Sequence, residues 1–402
     1  MTGNDVPGAT VPTSGVTSAG LFAGIGGIEL GLEAAGFRTE LLCEIDPDAI
    51  AVLEARFPGV ELAADVRGLK GLPKVDVLAA GFPCQDLSQA GTKAGIEGSQ
   101  SSLVSEVFRL CQPSVSRPTW LMLENVSYML RLDRGRAMTQ LVRELEDLGF
   151  QWGYRVVDAR AFGIPQRRQR VLFVASASED VRGVLFADDS CSPEYNDTIG
   201  AVDPTRGYGF YWTEGLRGLG WAQDAVPTVK GGSRLGIPSP PAVWLPDEGF
   251  FGTPSIEDAE RLQGFDPGWT KPALALNGRR GNRWRLVGNA VCVPMASWLG
   301  RRLVDPGEMA LPQRPLWGGD RWPTAAWGAN GEAYAVDATM RPAAAQFSIR
   351  SFLREPLQPL SAKATAGFLS RARRGKLRFA DGFLDGLQAH LDRGAPDREL
   401  IA

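Results

Sequence analysis

The sequence predicts an α/β protein, a doubly wound sheet of parallel strands followed by a second, smaller domain and a C-terminal extension. Three observations carry this. From about residue 17 to 175, short apolar runs alternate with stretches of helical periodicity. The helical stretches are followed by turn signals, often glycine before an aromatic residue or proline. Beyond residue 176 the rhythm breaks into Gly-, Pro-, Trp- and Asp-rich sequence, with no clear helical face until "SIEDAERLQGF".

Taken in order, "SAGLFA" reads as the first strand, and a glycine turn then opens the helix "GIELGLEAAG". Gly24, Gly26 and Gly27 let the backbone approach a ligand at the helix N-terminus. Glu29 stands where a dinucleotide fingerprint has its third glycine, which weakens a pyrophosphate reading. The second strand, "RTELLCEI", ends at Glu44, placed to accept hydrogen bonds from ribose hydroxyls, and Asp65 ends the third, "VELAADV", in a similar way. These strand ends point to an adenosine-bearing ligand. S-adenosylmethionine suits the turn, because it has no diphosphate to cradle.

The fourth strand, "VDVLAAGF", delivers Cys84 to the same carboxyl edge, among residues too polar for a core (Gln85, Asp86, Ser88). Cys43, Cys111 and Cys292 read instead as buried, inert thiols. The fifth strand, "TWLMLENV", ends in Glu124 and Asn125, so a thiol and an acid meet in one crevice. The single histidine, His390, lies in the tail, which argues against a Cys/His dyad; Arg168 or Arg170 could help the thiol ionise. A thiolate adding to C6 of a pyrimidine, with an acid at N3, turns C5 into an enamine carbon able to attack an electrophilic methyl group.

Composition narrows the setting. Five cysteines without C-x-x-C spacing suggest neither a disulfide framework nor a zinc site, and no metal is expected. No run reaches the roughly 18 to 20 apolar residues of a membrane span. Residues 1–16 lack Lys and Arg and read as a disordered leader, so a cytoplasmic protein is expected. A net charge of −3 excludes nucleic-acid binding by bulk charge, though "QRRQR", "NGRRGNRWR" and "RARRGK" are local basic runs.

The ordered motifs "FAGIGG", "EIDPDA", "ADV", "GFPCQ", "ENV", "IPQRRQRVLFVA", "RLQGF" and "LVGNAV" closely resemble those of the C5-cytosine DNA methyltransferases, over about residues 20–175 and 259–305. The resemblance implies a Rossmann-like catalytic domain (17–175 plus 284–306), a target-recognition domain (176–283) and an extension of unknown role (307–402). It implies methyl transfer from S-adenosylmethionine to C5 of a flipped-out cytosine in a specific double-stranded DNA sequence. A tRNA methyltransferase and a catalytically silent DNA-binding relative stay open as alternatives. It assigns Cys84 as nucleophile, Glu124 as the N3 contact, and Arg168 and Arg170 as holders of the loops around the base and the adjoining phosphate. Phe82, Pro83, Gln85, Asn125 and Gln166 fall on the substrate side. Phe22, Gly24, Gly26, Gly27, Glu44, Ile45, Asp65, Leu103, Asn289 and Ala290 fall on the cofactor side. "QRRQR" and "NGRRGNRWR" would neutralise phosphates. A monomer is expected, with room for a cognate restriction endonuclease as partner. Two departures stand out: Gln100 replaces an arginine before Leu103, and acids occupy "SIEDAERLQGF" where the family has an arginine, which bears on packing of the small domain.

Overall fold

The computed structural model describes residues 15–82, 103–112, 117–190, 195, 197–232, 238–278, 280–316 and 321–394. The apolar runs form parallel strands β1 (Thr17–Leu21), β2 (Arg38–Cys43), β3 (Glu61–Ala63), β4 (Val77–Ala80) and β5 (Trp120–Val126). Helices α1 (Gly27–Glu33), α2 (Pro47–Arg56) and α3 (Leu103–Leu110) lie between them in the chain. Pro47 at the first turn and the Asp46 carboxylate, which accepts from the Asp48 N–H, start α2. Within β4, Leu78 and Ala80 pack on one face while Val77 and Ala79 pack on the other. Both faces are therefore buried, which is why the run reads as continuously apolar.

β1 pairs with β2 on one side and β4 on the other, so the winding reverses there and a crevice opens at their carboxyl ends. Helix α4 (Arg136–Asp147) leads to β6 (Gln151–Asp158), β7 (Gln166–Arg167) and β8 (Gln169–Ser176). Here the expectation of a parallel sheet needs correction, because β8 runs antiparallel to both β5 and β6. The link from β6 to β8 is a short turn with no α-helix, too short for the crossover that parallel neighbours require.

A second sheet takes β9 (Tyr208–Phe210), β10 (Ala222–Gln223), β12 (Ala242–Leu245) and β13 (Phe250–Thr253), while β11 (Val226–Pro227) pairs with β7. The sequence then supplies α5 (Ile256–Arg261), α6 (Arg280–Asn289) and α7 (Val293–Val304). Residues after 306 are divided between the two sheets. β14 (Gln313–Pro315), β15 (Ala325–Ala329) and β16 (Glu332–Val336) extend the main sheet beyond β6, giving the order β14-β16-β15-β6-β8-β5-β4-β1-β2-β3. β17 (Gln358–Pro359) pairs with β13. Helices α8 (Ala362–Arg374) and α9 (Phe383–Asp392) close the aromatic core of the small sheet, where Phe368 and Phe383 meet Phe210, and Phe383 also meets Trp221.

Candidate active site

The turn after β1 holds three left-handed residues, Phe22, Gly24 and Gly26. Left-handed backbone costs a side chain with a Cβ roughly 1–2 kcal/mol, so Phe22 carries strain that its packing against the core offsets. The Gly24 N–H donates to Glu44 Oε2 at 2.7 Å, while Glu44 Oε1 accepts from the Ile45 and Asp46 N–H groups, each at 2.8 Å. One carboxylate thus locks the turn after β1 to the turn after β2. Among the described residues, a Cβ on Gly24 would meet nothing within 4 Å. Beside it Ile45 is 63% exposed, an uncovered apolar side chain next to a carboxylate. Asp65 accepts from the Arg67 N–H and side chain, which hold its carboxyl below the usual range.

Gly27 is required by close approach rather than by φ. A Cβ there would sit 2.4 Å from the Val291 carbonyl, where α7 comes in to pack on α1. Asn289 is exposed at the end of α6, Ala290 is buried, and Leu103 packs against the core at the start of α3.

Glu124 and Arg170 meet at the carboxyl edge of β5. Arg170 Nε lies 2.8 Å from Glu124 Oε1, both side chains nearly buried. The contact is an ion pair without hydrogen-bond alignment, since Oε1 accepts no hydrogen bond among the described residues. Oε2 lies on the side of Gly81, 3.9 Å from where a Cβ on that glycine would be. The antiparallel course of β8 makes this pair possible: Arg170 stands opposite Val126, whereas a parallel β8 would start at the far edge. Next to Glu124, Asn125 Nδ2 donates to the Phe82 carbonyl at 3.0 Å and its Oδ1 accepts from the Val126 N–H. The end of β5 therefore clamps the chain at the residue before Pro83. Pro83, Cys84, Gln85 and Gln100 lie outside the described residues.

Arg168 is buried, and desolvation, aided by neighbouring Arg170, pushes its guanidinium down to about 9. It donates to the carbonyls of Val229, Gly288 and Ala290. Gln166, with no exposure, donates to the Leu262 carbonyl and accepts from the Val229 N–H. Arg168 thus ties the segment after β11 and the motif around α6 together, Gln166 ties that segment to the end of α5, and neither side chain reaches solvent.

The expectation that the "NGRRGNRWR" and "QRRQR" runs neutralise phosphates is corrected for Arg168, Arg170, Arg283 and Arg285, which are engaged within the fold, with Arg168 Nε alone of the buried Arg168 nitrogens lacking a partner among the described residues. Arg283 reaches Glu257 and Glu260, and Glu260 also accepts from the N–H groups of Gly268 and Thr270. Glu257 and Glu260 of "SIEDAERLQGF" are therefore the counter-charges of Arg283 in the basic run that follows them, while Asp258 pairs with Arg261 and accepts from the Arg354 and Glu355 N–H groups of the tail. Arg285 bonds Asp46 and Asp48, fastening α6 to the loop beyond Glu44. Sequence reasoning missed this link; the only signal was the pair of acids, Asp46 and Asp48, at the start of α2. Burial pushes the Cys111 and Cys292 thiols up to about 12 and that of Cys43 to about 11, as befits inert core residues.

The doubly wound sheet with its functional groups on one edge defines a Rossmann-like methyltransferase fold. The same fold is seen in S. pombe Dnmt2, which is 15% identical with a TM-score of 0.51 over 72% of this chain and 98% of that one. The family model described as C-5 cytosine-specific DNA methylase matches residues 16–202. Type II methyltransferase M2.BsuMI of Bacillus subtilis (strain 168) is 49% identical over 93% of this chain and 97% of its own. Type II methyltransferase M.NlaX of Neisseria lactamica is 30% identical over 68% of this chain and 92% of its own. The chain belongs to the C-5 cytosine-specific DNA methylase family and is a DNA cytosine-5-methyltransferase. Among the described residues, no helix is long and apolar enough to cross a membrane.

Proposed function

We propose that this protein methylates C5 of a flipped-out cytosine in a specific double-stranded DNA sequence, through a transient bond between Cys84 and C6. The observation that carries the reading is the Glu124–Arg170 pair beside the Phe82 carbonyl, at the point where the chain runs on to Cys84. Arg170 holds one carboxylate oxygen of Glu124, and the other lies toward Gly81, on the side where N3 of a base would meet it. Attack of the Cys84 sulfur on C6 moves the ring electrons toward C5 and N3, and Glu124 passes a proton to N3 as they move, taking it back when the ring is restored. Loss of the C5 proton after methylation restores the double bond and expels the sulfur. The base must leave the stack first, at a cost of a few kcal/mol.

Gly24, the Glu44 carboxylate and exposed Ile45 fit S-adenosylmethionine. Phe22, Gly26, Gly27, Asp65, Leu103, Asn289 and Ala290 complete that side. Bound there, it supplies the electrophilic methyl group. The type II relatives support a fixed recognition sequence, read by residues of about 180–255, and a companion restriction endonuclease. A cytoplasmic monomer fits this role. Cys84→Ser should keep S-adenosylmethionine binding and lose methylation of duplex DNA. Transfer at the parental rate by that variant, or transfer to tRNA in preference to DNA by the wild type, would overturn the reading.

A further inference from the structure

Of the three arginine-rich runs, the two in the family motifs are largely engaged inside the fold, but "RARRGK" at the end of α8 is not. Only Arg371 turns inward, donating to the carbonyls of Trp212 and Glu214 at 2.8 Å. Arg373 and Arg374 are exposed, and Lys376 and Arg378 lie on the surface beyond them. Among the described residues none of the four has a carboxylate partner; Arg373 reaches Gln388 and Arg374 the Ser370 carbonyl. Gly375 packs against the Gly215 carbonyl and Leu216, which brings exposed Arg217 to the same surface. A helix C-terminus attracts cations, which accounts for Arg373 and Arg374 in the last turn but not for Lys376 and Arg378 beyond it.

A chain of contacts leads from the patch toward the segment that Arg168 holds. Glu214, whose carbonyl Arg371 holds, pairs with Lys230 at 2.5 Å. The Lys230–Gly231 backbone in turn lies against Gly288, whose carbonyl Arg168 binds at 3.3 Å.

We propose that Arg217, Arg373, Arg374, Lys376 and Arg378 form a surface that binds the phosphate backbone of the DNA flanking the target cytosine. The proposal rests on DNA being the substrate. A protein of net charge −3 needs local, unpaired cations to hold a polyanion, and this surface supplies them. The test compares the wild type with the combined variant R373Q/R374Q/K376Q/R378Q, and with K376E, which lies past the helix and leaves α8 intact. Dissociation constants for duplexes with and without the recognised sequence are measured across a salt series. The expected result is weaker binding to both duplexes and a log–log salt slope shallower by roughly one unit for each phosphate that is no longer neutralised. S-adenosylmethionine binding and the single-turnover rate on saturating DNA should not change. An unchanged slope overturns the proposal, as does weakening confined to the combined variant and accompanied by unfolding. A wild type that methylates no DNA would instead overturn the substrate reading beneath it.

Discussion

At the scale of single residues, the site depends on which carboxyl groups are paired. Glu124 has Arg170 beside one oxygen and its other oxygen on the side of Gly81. Glu124→Gln should slow methyl transfer by roughly 10²–10⁴-fold, the usual worth of a positioned acid or base, with cofactor binding retained; single-turnover kinetics would show it. Glu29 is the opposite case. It is 1% exposed, neither carboxylate oxygen accepts a hydrogen bond among the described residues, and desolvation raises it from an ordinary 4.5 to about 8. The folded protein then binds a proton that the unfolded chain releases, so stability should be lost as pH rises from about 4.5 through 8. Glu29→Gln should melt higher than the wild type at pH 8, with the gap closing toward pH 5, as followed by thermal denaturation. Glu124 was legible in the sequence because an acid ending an apolar run has few innocent explanations. Its ion-pair partner was not, because strand direction leaves no mark on composition.

At the scale of elements, two contacts decide whether the edge holds its shape. α1 and α7 cross so closely that a Cβ on Gly31 would lie 2.5 Å from the Ala296 Cβ. Gly31→Ala should therefore destabilise by about 1–3 kcal/mol, despite the better helix propensity of alanine. Denaturant titration is the check. The second contact is Arg283 with Glu260, both buried. Arg283→Met leaves an unpaired charge inside the small domain, with an expected cost of about 3–5 kcal/mol, again measured by denaturant titration. The helices themselves could be read from their periodicity and their caps. α6 could not: its arginines suggested a surface for phosphate, because a basic run looks the same in sequence whether its partners are solvent or acids of a preceding helix.

At the scale of the whole molecule, the chain returns on itself. Five parallel strands and a glycine turn were readable from local patterns. That residues 313–336 add three strands to the main sheet, and residues 358–392 close the small one, was not. Those pairings join strands far apart along the chain, and local patterns do not encode which distant edge a strand will meet. Ending the chain at residue 306 should expose the edge of β6 and the aromatic face of Phe210 and Trp244. Such a protein is expected to aggregate or bind hydrophobic dyes, whereas the full chain should not.

The same weaving has a consequence during synthesis. A ribosome that has made the whole motif set, through "LVGNAV", has still not made β17, α8 or α9, and the small sheet lacks its lid of phenylalanines. Methylating power should thus arrive in one late step, once translation has passed α9, rather than build up as each motif emerges.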